Sequence, residues 1–561
     1  MVGLELPARA QISSIPDENA PRYPVQGVVL NSLTRQPIAR VLVESNAAAV
    51  LTDNEGHFEL SLPEGVTEIS VRRPGYNARG QEMNHVVNVA ANTPELTFNL
   101  TPEASITGHV TLSTGEPASG INFLAYRRAL MEGHVRWVTN GSAVTDSEGT
   151  FRMANLETPG IWVVCSVPQA ERDGWIAAVS QAPPGAIHGY PSICFPGPIP
   201  VAVGGVAANA LTLAPGQQAE LEIELTRQPF HRVTIAVANV AGAEGVGIQV
   251  HDPSGRTVGY PAEWNSSRRV TEVYLPSGQY YAEANPLGTG VIRYGRVDFR
   301  VGAAPVSNLS MTLFPLHPIP VEIHKEFSAT GQDGTQSGSI SGLARGADGP
   351  GVNLNLTDAD SAAGDSGGGG LEERPGSSDG SLFQMQSVIP GRYWVRTYPN
   401  EGYIASITSG GVDLTREPLE VGPGSSTAPI RITLRNDGGQ IQCKVISPQS
   451  SDPTAGASGG EMNVFWVYAI PTSQTVSQIP QGQGAIQKPA TIANLAPGNY
   501  RVVAYDQFQE IDLGNPQQLA EIAAKGQTVT VAPGGTATVQ VELIHAASAS
   551  PDANPEGVPI E

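Results

Sequence analysis

Lysine is nearly missing from this chain. Lys325, Lys444, Lys488 and Lys525 are the only four in 561 residues, the remaining basic charge is scattered arginine, and the net charge is −21. Binding to nucleic acid or to an anionic membrane needs clustered Lys and Arg, so neither is an expected partner. Cysteine is scarce as well, and Cys165, Cys194 and Cys443 are too few for a disulfide framework. Either all three are buried apolar thiols, or Cys165 and Cys194 form one bridge worth about 3.5 kcal/mol if unstrained. No apolar run is long enough to cross a membrane as a helix. Helical periodicity is rare too, and Gln518–Lys525 (QLAEIAAK) is its best instance.

Glycine (63) and proline (46) are abundant, and charged residues make up only 15%. That balance suits short strands joined by many turns. A turn-plus-strand phrase recurs five times: Leu62-Pro63-Glu64-Gly65, Leu156–Trp162 (LETPGIW), Leu275–Tyr280 (LPSGQY), Ile389–Tyr393 (IPGRY) and Leu495–Tyr500 (LAPGNY). Proline presets a turn, glycine is expected to supply a positive φ, and the aromatic opens a strand. A supersecondary unit written five times predicts a string of similar domains.

Each unit opens on a β-branched strand: Val25–Val29, Ile106–Val110, His231–Val237, Pro320–Ile323 and Ile441–Val445. Each closes on a period-2 strand: Leu96–Leu100, Leu221–Leu225, Leu309–Leu313, Ile430–Leu434 and Val539–Leu543. The expected organisation is an N-terminal segment 1–21, β-sandwiches at 22–101, 102–228, 229–315, 316–437 and 438–546, and a disordered tail 547–561. Short, proline-bearing connectors predict a linear array, a rod or arc on the order of 150 Å long. Ala8-Arg9-Ala10 before Gln11 looks like the A-x-A end of a secretory signal whose basic and apolar regions are missing from Met1–Pro7. The expected setting is therefore secreted, extracellular or cell-surface, with the periplasm as the other compartment of that kind.

A second phrase precedes the turn: Thr52–Phe58 (TDNEGHF), Thr145–Phe151 (TDSEGTF) and a shortened Ser378–Phe383 (SDGSLF). Asp-x-x-Gly between strands is hairpin chemistry. A calcium site would need six or more oxygens, and these loops offer two carboxylates at most. Together the phrases resemble the carboxypeptidase regulatory-like domain, a small transthyretin-like β-sandwich, most closely over Val25–Tyr76 and Ile106–Val167. The resemblance touches most of Val25–Ile544, and it implies an all-β array of about five Greek-key or transthyretin-like sandwiches. In the peptidases that gave that family its name the module is an accessory to a separate zinc domain. The third unit departs from the pattern, having no Asp-x-x-Gly hairpin, so its edge strands are left unassigned.

Catalytic signatures are weak. None of the ten histidines has Glu at i+3, so a zinc peptidase centre is not expected. Gly364-Asp365-Ser366-Gly367-Gly368 and Gly456-Ala457-Ser458-Gly459-Gly460 imitate serine-hydrolase motifs, but both sit in Gly/Ser tracts that cannot preorganise an oxyanion hole. Lys444, the one candidate for an intramolecular isopeptide bond, is expected on a sheet edge. No catalytic residue, metal or cofactor is therefore expected.

Aromatics are the better candidates for contact. Trp162 fills the turn phrase and should be core, whereas Trp394 points the other way, to solvent or a neighbouring unit. Trp137, Trp175 and Trp264 lie near predicted loops and are the candidate ligand contacts, since flat rings stack on sugar faces. Cys165 shares its strand face with Ile161 and Val163, so the segment Gln169–Ala208 is expected to cover it. The expected role is a non-catalytic scaffold, surface or adhesion protein meeting a protein or polysaccharide partner. The alternative is a glycan-binding accessory protein.

Overall fold

The computed structural model describes residues 21–77, 85–328, 351–446 and 464–544, apart from short gaps at 132, 173–174, 179–187, 206, 208, 241–244, 261, 288–291, 364–369, 375–381, 425, 473–478, 486–488, 507, 510 and 514. Five hydrophobic cores follow one another along the chain. They run from Val25 to Leu100, Ala104 to Leu225, Phe230 to Leu313, Ile319 to Leu434 and Ile441 to Val541. The chain is an all-β multi-domain array of β-sandwiches.

One pairing scheme is used five times. In every unit the opening strand lies parallel to the closing strand, Arg22–Asn31 beside Leu96–Pro102 in the first and Gly439–Ile446 beside Thr536–Ile544 in the last. On its other side each opening strand meets, antiparallel, the strand that leads into the turn phrase. Parallel neighbours need a long crossover, and the rest of each unit provides it, largely as a second sheet, which in the fifth unit is joined to the first where Gly498–Tyr505 pairs with Thr536–Ile544. Alternation then follows from burial: His57–Pro63 reads exposed, buried, exposed, buried along its length.

The recurring residues are explained by this scheme. Gly27 pairs with Phe58 and Gly108 with Phe151 across their strands. A Cβ on Gly27 would come 2.6 Å from the Phe58 ring, and one on Gly108 would come 2.1 Å from the Phe151 ring. Glycine here makes room for an aromatic lying over the strand. Thr52, itself buried, accepts from the Val41 amide at 2.9 Å and donates to the Ile38 carbonyl at 2.8 Å. Thr145 repeats this with Ile121 and Ala118. Asp53 Oδ1 accepts from the amides of Glu55 (2.9 Å) and His57 (2.8 Å), and Asp146 does the same for Glu148 and Thr150. The aspartates organise turns, but not the expected hairpins: each turn carries the chain from one sheet to the other, from Ala49–Leu51 to His57–Pro63 and from His134–Val144 to Thr150–Leu156, and the flanking strands do not pair.

Two expectations change. In the turn phrase, Gly65 has φ 120°, but Gly160, Gly278 and Gly391 do not have left-handed backbones. Added Cβ atoms there would instead meet the ring two residues on, 2.6 Å from Trp162 Nε1, 2.9 Å from Tyr280 Oη and 3.1 Å from Tyr393 Oη. The tyrosine hydroxyls fold back to donate to carbonyls four residues upstream, Tyr280 to Pro276 (3.2 Å), Tyr393 to Ile389 (2.9 Å) and Tyr500 to Ala496 (2.6 Å). The phrase is thus a corner pinned by its own aromatic. The third unit, in turn, does use an Asp-x-x-Gly turn. Asp252 Oδ1 accepts from the Ser254 amide at 2.9 Å, and Gly255 N–H donates to the Asp252 carbonyl at 3.0 Å. As in the first two units, the preceding strand, Gly245–His251, lies in the opposite sheet from the opening strand, but Thr257 stands where they carry Phe58 and Phe151, which hides the likeness in sequence.

Lys444 is exposed on Gly439–Ile446, whose pairing with Ala490–Leu495 stops at Cys443, so beside Lys444 only the closing strand is paired and the residue is not in the core. The predicted helix forms over Pro516–Ala524, where Asn515 Oδ1 caps Gln518 N–H at 3.0 Å and Pro516 fills the first turn. Its buried Ile522 joins Tyr468, Ile470 and Tyr505 in a second layer on the fifth unit.

The array is not an extended rod. A long hairpin of the second unit, Asn122–Met131 with His134–Val144, carries four consecutive buried residues, His134 to Trp137. Alternation should leave every other one in water, and neighbouring units cover them instead. The His134 ring stacks on Trp394 of the fourth unit at 4.6 Å and 21°. The Trp137 amide donates to Ala362 O at 2.9 Å, and the Leu513 amide of the fifth unit donates to Gly133 O at 3.0 Å. Ser361 Oγ and the Ala363 amide donate to Ser254 O of the third unit at 3.1 and 3.0 Å. The connectors do not set the shape. This arm does.

Candidate functional site

The junctions built by the arm gather the chemistry of the chain. The outer face of the second unit's Asn122–Met131, His134–Val144 and Gly160–Ser166 sheet is apolar. It presents Tyr126, Trp137, Val163 and Cys165, and these are covered by Ile199 and Ala207 from the predicted segment, with Ala362 from the fourth unit. Cys165 and Cys194 are opposite one another in adjacent strands, with S–S 2.07 Å. Cys443 is fully buried in the fifth core, and burial pushes its thiol up to about 12. Unfolded protein titrated without reductant should therefore show one thiol, and three after reduction. Three before reduction would remove the bridge.

The tryptophans divide differently from expectation. Trp162 is fully buried in the second core. Trp394 faces the neighbouring unit, on His134. Trp137 is 3% exposed beneath Ala362, so it is no ligand contact. Its apolar area is spent on the junction, which no local pattern announces. Trp264 packs against the third core and is half-buried. Trp175 lies on the strand Trp175–Ala178, and its side chain is outside the described residues. So are Ser366 and Ser458 and residues 1–20. The three candidate aromatics are not brought together as one described patch.

His134 is the most perturbed base at the junction. Burial first, then the Arg396 and Arg136 guanidinium groups, hold its pKa down at about 4. Its Nε2 has no hydrogen-bond partner among the described residues. On the third unit, Tyr281 is sandwiched between His251 (4.7 Å, 8°) and the Arg296 guanidinium (3.7 Å). Beneath them Glu283 accepts from Tyr294 Oη at 2.7 Å and lies 3.5 Å from His251 Nε2 and 3.8 Å from Arg296. A His, a Tyr and a Glu invite an acid–base reading. Both faces of Tyr281 are covered, however, and burial followed by the Glu283 charge raises the Tyr294 pKa, so this phenol keeps its proton. Among the described residues no three His, Cys, Asp or Glu gather where they would hold a metal ion.

Two clefts open between units. One, of about 280 Å³, separates the second and third units. It contains the Arg256–Asp252 ion pair (2.9 Å), and Arg256 also donates to Ser192 Oγ at 2.9 Å, so its charges are satisfied internally. The other, of about 200 Å³, lies where the second, fourth and fifth units meet, and Arg396, Tyr398, Tyr468, Gln481, Phe508 and Gln509 are among its lining. Sequence reasoning missed this second group. Its residues sit on three different units, and only the exposed Phe508 is anomalous by itself.

No family model matches the chain, and no curated protein matches it. Solved structures do overlay on it. They include the streptococcal ancillary pilin (11% identity, 52% of this chain and 98% of that one, TM-score 0.17). They also include two B repeat units of the collagen-binding protein of Staphylococcus aureus (9%, 78% and 99%, TM-score 0.14). A third is a putative polysaccharide-binding protein of Bacteroides thetaiotaomicron (13%, 29% and 75%, TM-score 0.15). At those scores the overlays assign neither family nor role.

Proposed function

We propose that this chain is a non-catalytic secreted scaffold or surface adhesion protein, built of carboxypeptidase regulatory-like sandwiches and meeting a protein or polysaccharide partner outside the cell. The observation that carries the reading is what the repeated residues do. Thr52 and Thr145, Asp53 and Asp146, Gly27 and Gly108, and the turn tyrosines are each engaged by backbone or ring within their own unit. A chain that writes one turn phrase five times, and engages these recurring residues in its own backbone and rings, is organised to hold a shape.

The purified chain should turn over neither chromogenic esters nor peptides, and a chelator should leave its Tm unchanged. Ester turnover lost on Ser366→Ala or Ser458→Ala would overturn the scaffold reading in favour of a hydrolase.

A further inference from the structure

We propose that the cleft between the second, fourth and fifth units is a binding site for a single sugar ring. This goes beyond the scaffold reading and does not depend on it. At about 200 Å³ the cleft is smaller than the roughly 300–1,000 Å³ of pockets that take drug-sized ligands, which suits one ring.

Its lining combines two chemistries. Phe508 is 52% exposed, although a ring of that size beside a concavity would ordinarily be covered. It is tilted against Tyr468 with centroids 6.4 Å apart. Tyr468 is itself fixed, being 2% exposed with its hydroxyl accepting from the Gln509 amide at 2.7 Å. Phe508 thus lines the cleft as an exposed ring supported from behind, and the negative face of such a ring suits the polarised C–H groups of a sugar. Around it, the exposed Gln481 carboxamide offers both a donor and an acceptor, and Gln509, whose Nε2 donates to Phe508 O at 3.3 Å, and Arg396 complete a polar wall. Neighbouring hydroxyls on a sugar both give and receive hydrogen bonds, so this mixture matches them. A purely apolar ligand would desolvate the amides without return. An anion would draw on Arg396 against a net chain charge of −21.

Leu130 and Gly133, from the arm of the second unit, complete the wall. The site therefore exists only when the arm is docked, and sugar binding should favour docking.

The test is saturation-transfer NMR on the full chain with the methyl glycosides of glucose, galactose, N-acetylglucosamine, xylose and glucuronate, and with benzoate as an aromatic anion. Transfer to at least one glycoside is expected, with Kd on the order of millimolar for a single ring. Phe508→Ala should weaken it about fivefold or more, and Gln481→Ala should weaken it too. Both residues are exposed, so neither substitution threatens the fold. Transfer to no glycoside, transfer indifferent to both substitutions, or transfer to benzoate alone would each overturn the assignment.

Discussion

Gly108→Val is expected to abolish the folding of the second unit, with a loss of more than about 4 kcal/mol, beyond the ordinary cost of overpacking. The added Cβ would sit 2.1 Å from Phe151 Cε1, well inside contact distance. The ring has nowhere to go, because Phe151 is 2% exposed and stacked on the fully buried Phe123 at 4.7 Å and 19°. Gly27→Val should act alike in the first unit, where the clash includes the backbone carbonyl of Leu96 at 2.3 Å. Gly302→Ala is the control. Nothing lies within 4 Å of its Cβ and its backbone is not left-handed, so it should be near neutral. Calorimetry can separate these cases, since a chain of several units melts in several transitions. Loss of one transition in Gly108→Val, with the others kept, is the expected trace. An unchanged trace would mean that ring and strand are not in register.

Acidification is expected to undock the arm. With His134 held at about 4 inside the junction and near 6.5 when released, the docked state binds fewer protons, so it loses stability as pH falls. The full contribution is present above pH 6.5, is lost progressively between 6.5 and 4, and changes no further below. The change amounts to about 3 kcal/mol at most. The groups acting on His134 are Arg396 from the fourth unit and Arg136 on its own strand, both cationic, with the Trp394 ring against its face. An imidazolium there would be a third buried positive charge. His134→Phe should keep the stacking and remove the slope, whereas Trp394→Ala should loosen the arm at every pH. Hydrodynamic radius followed from pH 7 to pH 4 reads both effects. A wild-type radius that stays constant while His134→Phe behaves identically would sink this account of the junction.

Much of the fold was legible because it rests on local chemistry. Opening and closing strands carry their period-2 patterns openly, and the side-by-side placement of all five pairs follows from one repeated topology. The role of glycine was harder to read. A turn glycine and a glycine cleared for a ring look alike in sequence, and Gly160, Gly278 and Gly391 are of the second kind. The Asp252 turn is hard to recognise because Thr257 stands where the first two units carry Phe58 and Phe151. The junction was least legible. His134 to Trp137 break alternation only by being covered from units hundreds of residues away, and Ser361 to Ala363, at the head of a Gly/Ser tract, become a bracket between two other units. Trp394 was the partial exception, since its parity on the strand set it opposite the core. The cleft at Phe508 inherits the same difficulty, as no single unit contains it.

The central claim, that the arm of the second unit folds the array back on itself, is tested most directly by small-angle scattering of the intact chain at neutral pH. Four mutually packed units with the first appended should give a maximum dimension of about 100 Å, from roughly 33 Å per unit. Five units in line would reach about 150 Å on the same estimate, and that result in the wild-type protein would contradict the account.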